Sequence, residues 1–414
     1  MTNETQATAS ATALPLSGMR ILDLTVMTAG PVGTMMLGDL GADVIKIEEL
    51  QGGELSRSMG TMYVGVESAN FLSQNRNKRS VRLDLKKAEG REAFLRMAAQ
   101  ADVVTENFRP GTLDRLGIGY EALRKVNPRI IFASISAFGQ TGPYAHLPAN
   151  DPIVQALSGL MHMTGDADGD PVRVGHPYPD FGAAALLAFG VCAALLHRER
   201  TGQGQSLDLS LLNGTIFSAI PRDGETLRSG KAPPRLGSGH PAFVPYRNYK
   251  GSDGAPFFLA CFNEKFWGSV CDAVERPDLM TDARTVNNVA RCNNREFVDA
   301  QLEAIFATRT TDEWLERLAR FNVPSARVQD LNHALRSDPQ VRHNNTIVEV
   351  EHPTAGTVET LALPVNFHAT PAEYRRPPPR LGEHSVEVLR EFGFTGEEVD
   401  ALLASQAVAG LNTP

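Results

Sequence analysis

Residues 19–48 read MRILDLTVMTAGPVGTMMLGDLGADVIKIE, and this stretch sets the fold class. Two short β-branched runs, MRILDL and DVIKIE, flank the helical pattern PVGTMMLGDLGA, which predicts a strand, a covering helix and a second strand. The alternation continues with VRLDL at 81–85, the amphipathic KKAEGREAFLRMAAQ, DVVTENF, a Pro-Gly break, the helical TLDRLGIGYEALRKVN, and RIIFASIS. QSLDLSLL, near 205–212, is a further strand candidate. Such order predicts an α/β protein with a Rossmann-like, mostly parallel sheet covered on both faces.

The 414 residues leave room for two or three domains at the usual ~100–200 residues each. Apolar residues make up 42% and charged residues 21%, an ordinary globular balance. Forty basic and 48 acidic residues give a net charge of −8, which argues against a nucleic-acid partner and requires any phosphate site to be local. Cys192, Cys261, Cys271 and Cys292 have neither metal-ligand nor disulfide-scaffold spacing, so reduced thiols and a cytoplasmic location are expected. The opening MTNETQATASATALPLSG carries no basic residue and no apolar core, so it resembles no signal or transit peptide, and residues 1–14 read as a loose tail. The uncharged run Phe181–Leu196 is shorter than the ~20 residues a bilayer crossing needs, so a buried helix and no membrane partner are expected. Composition shifts between about Arg222 and Asp253, around RSGKAPPRLGSGHP. The domain reading is therefore 1–224, then 225–330 as linker and small α/β domain, then 331–414.

Three motifs are candidates for chemistry. In PYPDFGAAALLAFGVCAALL, residues 177–196, Asp180 precedes sixteen uncharged residues and reads as an N-cap or as a reactive carboxylate. In SQNRNKRSVRLDLK, residues 73–86, Arg76, Lys78, Arg79, Arg82 and Lys86 form either a solvated run or a phosphate-binding cluster. In ENFRPGTLDRLG, residues 106–117, Asn107, Phe108, Arg109 and Arg115 surround a turn at a strand's carboxyl end, where open α/β sheets bind ligands. The turn Thr28-Ala29-Gly30-Pro31-Val32-Gly33 lacks the third glycine of a dinucleotide fingerprint. No P-loop, HExxH, GxSxG or metal-spaced Cys/His set occurs, so no metal or redox cofactor is expected.

PLSGMRILDLTVMTAGP, GADVIKIE, NRNKRSVRLDL, ADVVTENFRPGTLDRLGIGYE, NPRIIFASISAFGQTGPY and TGQGQSLDLSLL, followed by VPSARV, SDPQ and PRLGEH, resemble the class III CoA-transferase family. The similarity runs from Pro15 to about Val388. It implies a large α/β domain built from both chain ends, a small domain between them, and an interlocked homodimer. It also implies that Asp180 is catalytic and that coenzyme A, as acyl-CoA substrate, contacts Met27, Leu83, Lys86, Asn107, Phe108 and Arg115. A basic residue that some members place after the second strand is Glu49 here, so Arg76, Lys78 or Arg79 is expected to serve the nucleotide end instead.

Two chemistries resemble each other on this fold, CoA transfer and α-methylacyl-CoA racemisation. The racemases add a His-Asp pair, where this chain reads Leu147-Pro148-Ala149-Asn150-Asp151. Asn150 cannot take a proton, so transfer is the expected reaction. A third possibility is a non-catalytic subunit of a hetero-oligomer. In transfer, Asp180 attacks the acyl-CoA carbonyl and cycles through mixed anhydrides and an aspartyl-CoA thioester. Thr28, Ala29 and the loop Gly237-Ser238-Gly239-His240 are candidates to meet the substrate, the loop as oxyanion donors. Succinyl-CoA with a small dicarboxylate is the preferred pair, with Arg222 or Arg247 meeting the remote carboxylate.

Overall fold

The computed structural model describes residues 13–411. Most of the tail expected over 1–14 therefore lies outside the described residues. Seven strands form the main sheet: β1 (Arg20–Asp23), β2 (Asp43–Glu48), β3 (Lys78–Leu83), β4 (Val103–Glu106), β5 (Ile131–Ser136), β6 (Ser206–Ser210) and β7 (Val408–Ala409). Their order is β7-β3-β2-β1-β4-β5-β6, all parallel except β7, which pairs antiparallel with β3. Setting β7 aside, 3-2-1-4-5-6 is the doubly wound order, and its direction reverses between β1 and β4.

Successive side chains of a strand point to opposite faces, and here both faces are dry. Leu22, Ile45, Val81 and Val104 pack with Phe94 and Phe392 on one side. Ile21, Val44 and Val103 pack with Leu37, Leu187 and Val191 on the other. The helix Ala29–Asp39 lies against the helix Tyr178–Thr201 on that second face. The two glycines of TAGPVG make these approaches possible: a Cβ on Gly30 would overlap Thr25, and one on Gly33 would sit 2.9 Å from the Ala184 carbonyl oxygen. They serve packing in place of a pyrophosphate.

Three sequence readings need correction. β3 starts at Lys78, three residues before the predicted strand, because Lys78 meets the buried Asp23 and Arg79 is held by the half-buried Asp43. The single helix read over TLDRLGIGYEALRKVN is two, Thr112–Arg115 and Tyr120–Val126, separated at Gly117, whose φ of 74° no ordinary helix adopts. The Asp180 helix is buried on one face only. Ala183, Ala184, Leu187, Val191 and Ala194 face the sheet, whereas Phe181, Phe189 and Leu196 are exposed. At 24 residues it is also long and apolar enough to cross a membrane, by length and composition alone.

The chain divides into two compact units. One holds the described residues up to Leu160, Val174–Ile220 and those from Arg342 onward, including the seven-stranded sheet. The other holds Met161–Arg173 and Pro221–Val341. In the second, an antiparallel sheet ordered Ser325–Arg327, Pro256–Ala260, Tyr246–Lys250 packs on helices around Tyr249, Phe257, Trp267, Phe306 and Trp314.

Candidate active site

A doubly wound sheet binds ligands beyond the carboxyl ends of its strands, at the point where strand order reverses. Just there, a cleft of about 740 Å³ opens in the first unit. Its walls include Leu24 and Val26 after β1, Ile47 to Glu54 at and beyond the end of β2, Leu83 to Lys86 at and beyond the end of β3, and Phe108, Thr112 and Leu116 after β4. Leu83 and Lys86 thus line one cavity with Phe108, which follows a different strand. Arg115 stands beside it, donating to the Thr112 hydroxyl at 3.1 Å.

Met27 and Asn107 are not in that lining and sit next in sequence to Val26 and Phe108, which are. The Asn107 side-chain oxygen accepts from the Val26 N–H at 2.9 Å, and its NH2 donates to the Val26 carbonyl at 2.8 Å. The amide therefore ties the β1 loop to the β4 loop across the switch point. Met27 holds φ at 69°, unusual for a side chain of its size, with its N–H donating to Glu54 at 2.8 Å. Thr28 precedes the helix that Ala29 opens, and Ala29 is buried.

Arg76, Lys78 and Arg79 of the basic run are neither solvated nor part of the cleft. Arg76 is buried and grips Asp39 through Nε and Nη2. Lys78 is buried on Asp23 at 2.9 Å. Arg79 is held by Asp43, Glu387 and Glu391. A buried cation is tolerated when a carboxylate neutralises it. The expectation that one of these three serves the nucleotide end is therefore overturned. Lys86 is the cation that lines the cleft, and its ammonium faces the Glu49 carboxylate at 3.6 Å.

Asp180 reaches the same edge of the sheet by a different route. A helix that feeds a parallel strand must end at that strand's amino edge, so it begins at the carboxyl edge. Tyr178–Thr201 has 24 residues, a length of about 36 Å. It ends on Gly202 at φ 77° after Arg198 and Arg200, as the sequence suggests. Its start differs from the N-cap reading. Pro177 holds the cap position and Asp180 is the third helical residue, with no side-chain cap bond. The Asp180 N–H donates instead to a carboxylate oxygen of Asp151 at 3.3 Å. The other Asp151 oxygen accepts from the Gln155 amide at 2.6 Å. Asp151 is thus the cap, supplied by a neighbouring helix whose own N-cap is Asn150. Burial, reinforced by the Asp151 charge, raises the Asp180 carboxyl to about 7.

The loop Gly237-Ser238-Gly239-His240 belongs to the second unit. The Gly237 N–H donates to Gly165 and the Gly239 N–H to Leu236. The glycine donors are therefore engaged within that unit. His240 stacks on Phe243 at 4.7 Å, and burial together with Arg222 and Arg295 lowers its pKa. Arg247 pairs with Asp299 at 3.0 Å and Glu303 at 3.5 Å. Arg222 lines a small recess with Gly237 and Gly239.

Residues 16–385 match the sequence profile of CoA-transferase family III. The chain belongs to that family. This family III enzyme is 40% identical over 396 residues to the succinyl-CoA:glutarate CoA-transferase of Mus musculus, covering 95% of this chain and 90% of the relative. It is 39% identical over 380 residues to the acetyl-CoA:oxalate CoA-transferase of Acetobacter aceti, covering 91% and 96%. Its fold is similar to that of a CAIB/BAIF family protein from Brucella suis, with a TM-score of 0.83 and 33% identity over 92% of this chain and 100% of the other. It is a class III CoA-transferase that takes acyl-CoA as substrate.

Several residues that shape this transferase's site escape a sequence reading. Glu54, 27 positions from Met27, carries no local signal for its bond to that N–H. Asp151 is visible in sequence only as half of a missing acid–base pair, not as the group that accepts the Asp180 N–H and raises the Asp180 carboxyl. Glu106, buried behind Phe108, accepts that residue's N–H at 2.7 Å, and burial raises it to about 7.

Proposed function

We propose that the chain moves CoA from an acyl-CoA donor to a small dicarboxylic acid, with Asp180 as the covalent carrier. The observation that carries this reading is the Asp180 carboxyl itself, partly buried, with no cation partner among the described residues, and raised to about 7. Above that pH it is a carboxylate of unusually high basicity, hence a better nucleophile than a solvated aspartate. The ionised form adds to the thioester carbonyl, expelling CoA thiolate and leaving an aspartyl acyl anhydride. The thiolate then attacks the aspartyl carbonyl, releasing the donor acid and forming an aspartyl-CoA thioester. The acceptor carboxylate attacks that thioester to give a second anhydride and thiolate. The returning thiolate attacks the acceptor's acyl carbonyl, which frees Asp180 and the new acyl-CoA. Each step exchanges one bond at a carbonyl and needs no change of oxidation state.

Succinyl-CoA is the proposed donor and a C4 or C5 dicarboxylate the acceptor. Supporting this, the relatives named above are called glutarate and oxalate CoA-transferases. Arg247 is committed to Asp299 and Glu303, so Arg222 is the arginine proposed to meet the remote carboxylate. Leu83, Lys86, Phe108 and Arg115, with Met27 and Asn107 behind them, are proposed to hold CoA. A cytoplasmic homodimer completes the reading. The exposed stripe Phe181, Phe189 and Leu196, continued by Phe217 and Ile220, supports a partner subunit over the Asp180 helix.

The test is a panel of acyl-CoA donors against mono- and dicarboxylic acids, with products read by mass spectrometry. Transfer from succinyl-CoA to a dicarboxylate, lost with Arg222→Gln more than for monocarboxylates, is expected. Exchange of the α-proton without any transfer would replace this reading with racemisation.

A further inference from the structure

The cleft that receives CoA is chemically lopsided. Its lining is rich in apolar side chains, among them Leu24, Val26, Leu50, Leu55, Leu83 and Phe108. Of its acids, Glu48 is held internally by Arg57 and Ser80, and Glu54 by Met27 and Ser56. The charges that face solvent at its mouth are Glu49 and Lys86, whose side chains are 73% and 79% exposed and 3.6 Å apart, and beside them Asp84, which binds the Lys86 N–H. A nucleotide's phosphates arriving here meet one ammonium that already has a carboxylate partner, and two carboxylates that repel them. Arg115 lies outside the lining and donates to Thr112.

We infer that Glu49 is a counter-charge that weakens phosphate recognition, so that the apolar wall carries binding and dephospho-CoA thioesters are substrates nearly as good as CoA thioesters. This rests on the reading of the cleft as the CoA site. Two like charges separated by several ångströms of water repel by only a fraction of the contact energy, so the effect of one exposed carboxylate is severalfold, and salt screens it. Glu49 touches no reacting atom. It sets which nucleotide is preferred.

The experiment compares CoA with dephospho-CoA, binding by calorimetry and turnover as their succinyl thioesters, at low and physiological salt. In the wild type the two should differ by less than about fivefold. Glu49→Gln should tighten CoA by about three- to tenfold at low salt, with dephospho-CoA changing less, and Glu49→Lys should widen the preference for CoA further. Lys86→Met should weaken both ligands, CoA more. Phe108→Ala reports on the cleft separately. If it leaves CoA affinity unchanged, the cleft is not the CoA site and the inference falls with that reading. If Phe108→Ala weakens CoA while Glu49→Gln leaves both ligands alone, or if the wild type prefers CoA a hundredfold, the role of Glu49 is overturned and the site stands.

Discussion

Asp23 and Asp180 are carboxylates of the same unit, one fully and one partly buried, and their surroundings treat them in opposite ways. Asp23, at the end of β1, is fully buried with the Lys78 ammonium at 2.9 Å, the Thr34 hydroxyl at 2.8 Å and the Thr25 N–H at 2.9 Å. Burial alone would raise it, but Lys78 and Lys46 hold it well below the ordinary carboxylate range. Asp180 has no such cation among the described residues, and burial and Asp151 push it to about 7. One site has every charge answered, which suits a fixed junction between β1, β3 and the helix Ala29–Asp39. The other keeps a carboxylate whose charge is poorly compensated, which suits a group that must form and break covalent bonds.

The largest effect that separates the two is on turnover. Asp180→Ala should lower CoA transfer by at least about 10³-fold, since it removes the attacking group, while circular dichroism and CoA binding stay near wild type. A variant with near wild-type turnover would remove Asp180 from the chemistry. Lys78→Met should act through the fold instead. It leaves Asp23 buried without its ion-pair partner, at a cost of about 3–5 kcal/mol, read as an earlier urea midpoint. The double variant Asp23→Leu with Lys78→Met should recover most of that loss, because no unpaired charge remains.

Stability against pH sharpens the contrast further. A carboxyl raised from its usual value to about 7 binds its proton more tightly in the folded state. The folded state therefore holds more protons between about pH 4 and pH 7, so stability falls as pH rises through that window. Asp180→Asn, which cannot ionise, should stabilise the protein at pH 8 by about 2 kcal/mol once partial solvent screening is discounted. That gain should vanish below about pH 4, and thermal melts at both pH values check it. The smallest expected effect belongs to Asp151→Asn. It keeps an oxygen for the Asp180 N–H but removes the neighbouring charge, so the acid limb of kcat/KM, near 7 in the wild type, should move down by less than about one pH unit.

The sequence carries the parallel sheet openly, because buried parallel strands such as ILDL and DVIKIE are apolar and β-branched and alternate with helical patterns. Clean helix ends such as Gly202 are legible for the same reason, since the signal is local. The burial of the basic run at the start of β3 is not. Charge runs usually face water, and only tertiary partners 36 to 55 positions away, Asp39, Asp43 and Asp23, explain why Arg76, Arg79 and Lys78 are inside. The start of the Asp180 helix is displaced for a related reason. Pro179 in the first turn suits helical geometry before Asp180 is reached, so the cap comes from Asp151, 29 positions earlier. Asp180 itself could be named from resemblance, but its raised basicity depends on burial and on that distant carboxylate.

The most direct test of Asp180 as carrier is trapping. Enzyme incubated with succinyl-CoA and hydroxylamine, digested and sequenced by tandem mass spectrometry, should carry a hydroxamate on Asp180, absent without the thioester and absent in Asp180→Ala. Full transfer activity with no modification at Asp180, or a hydroxamate on another acid that survives in the variant, would contradict the account.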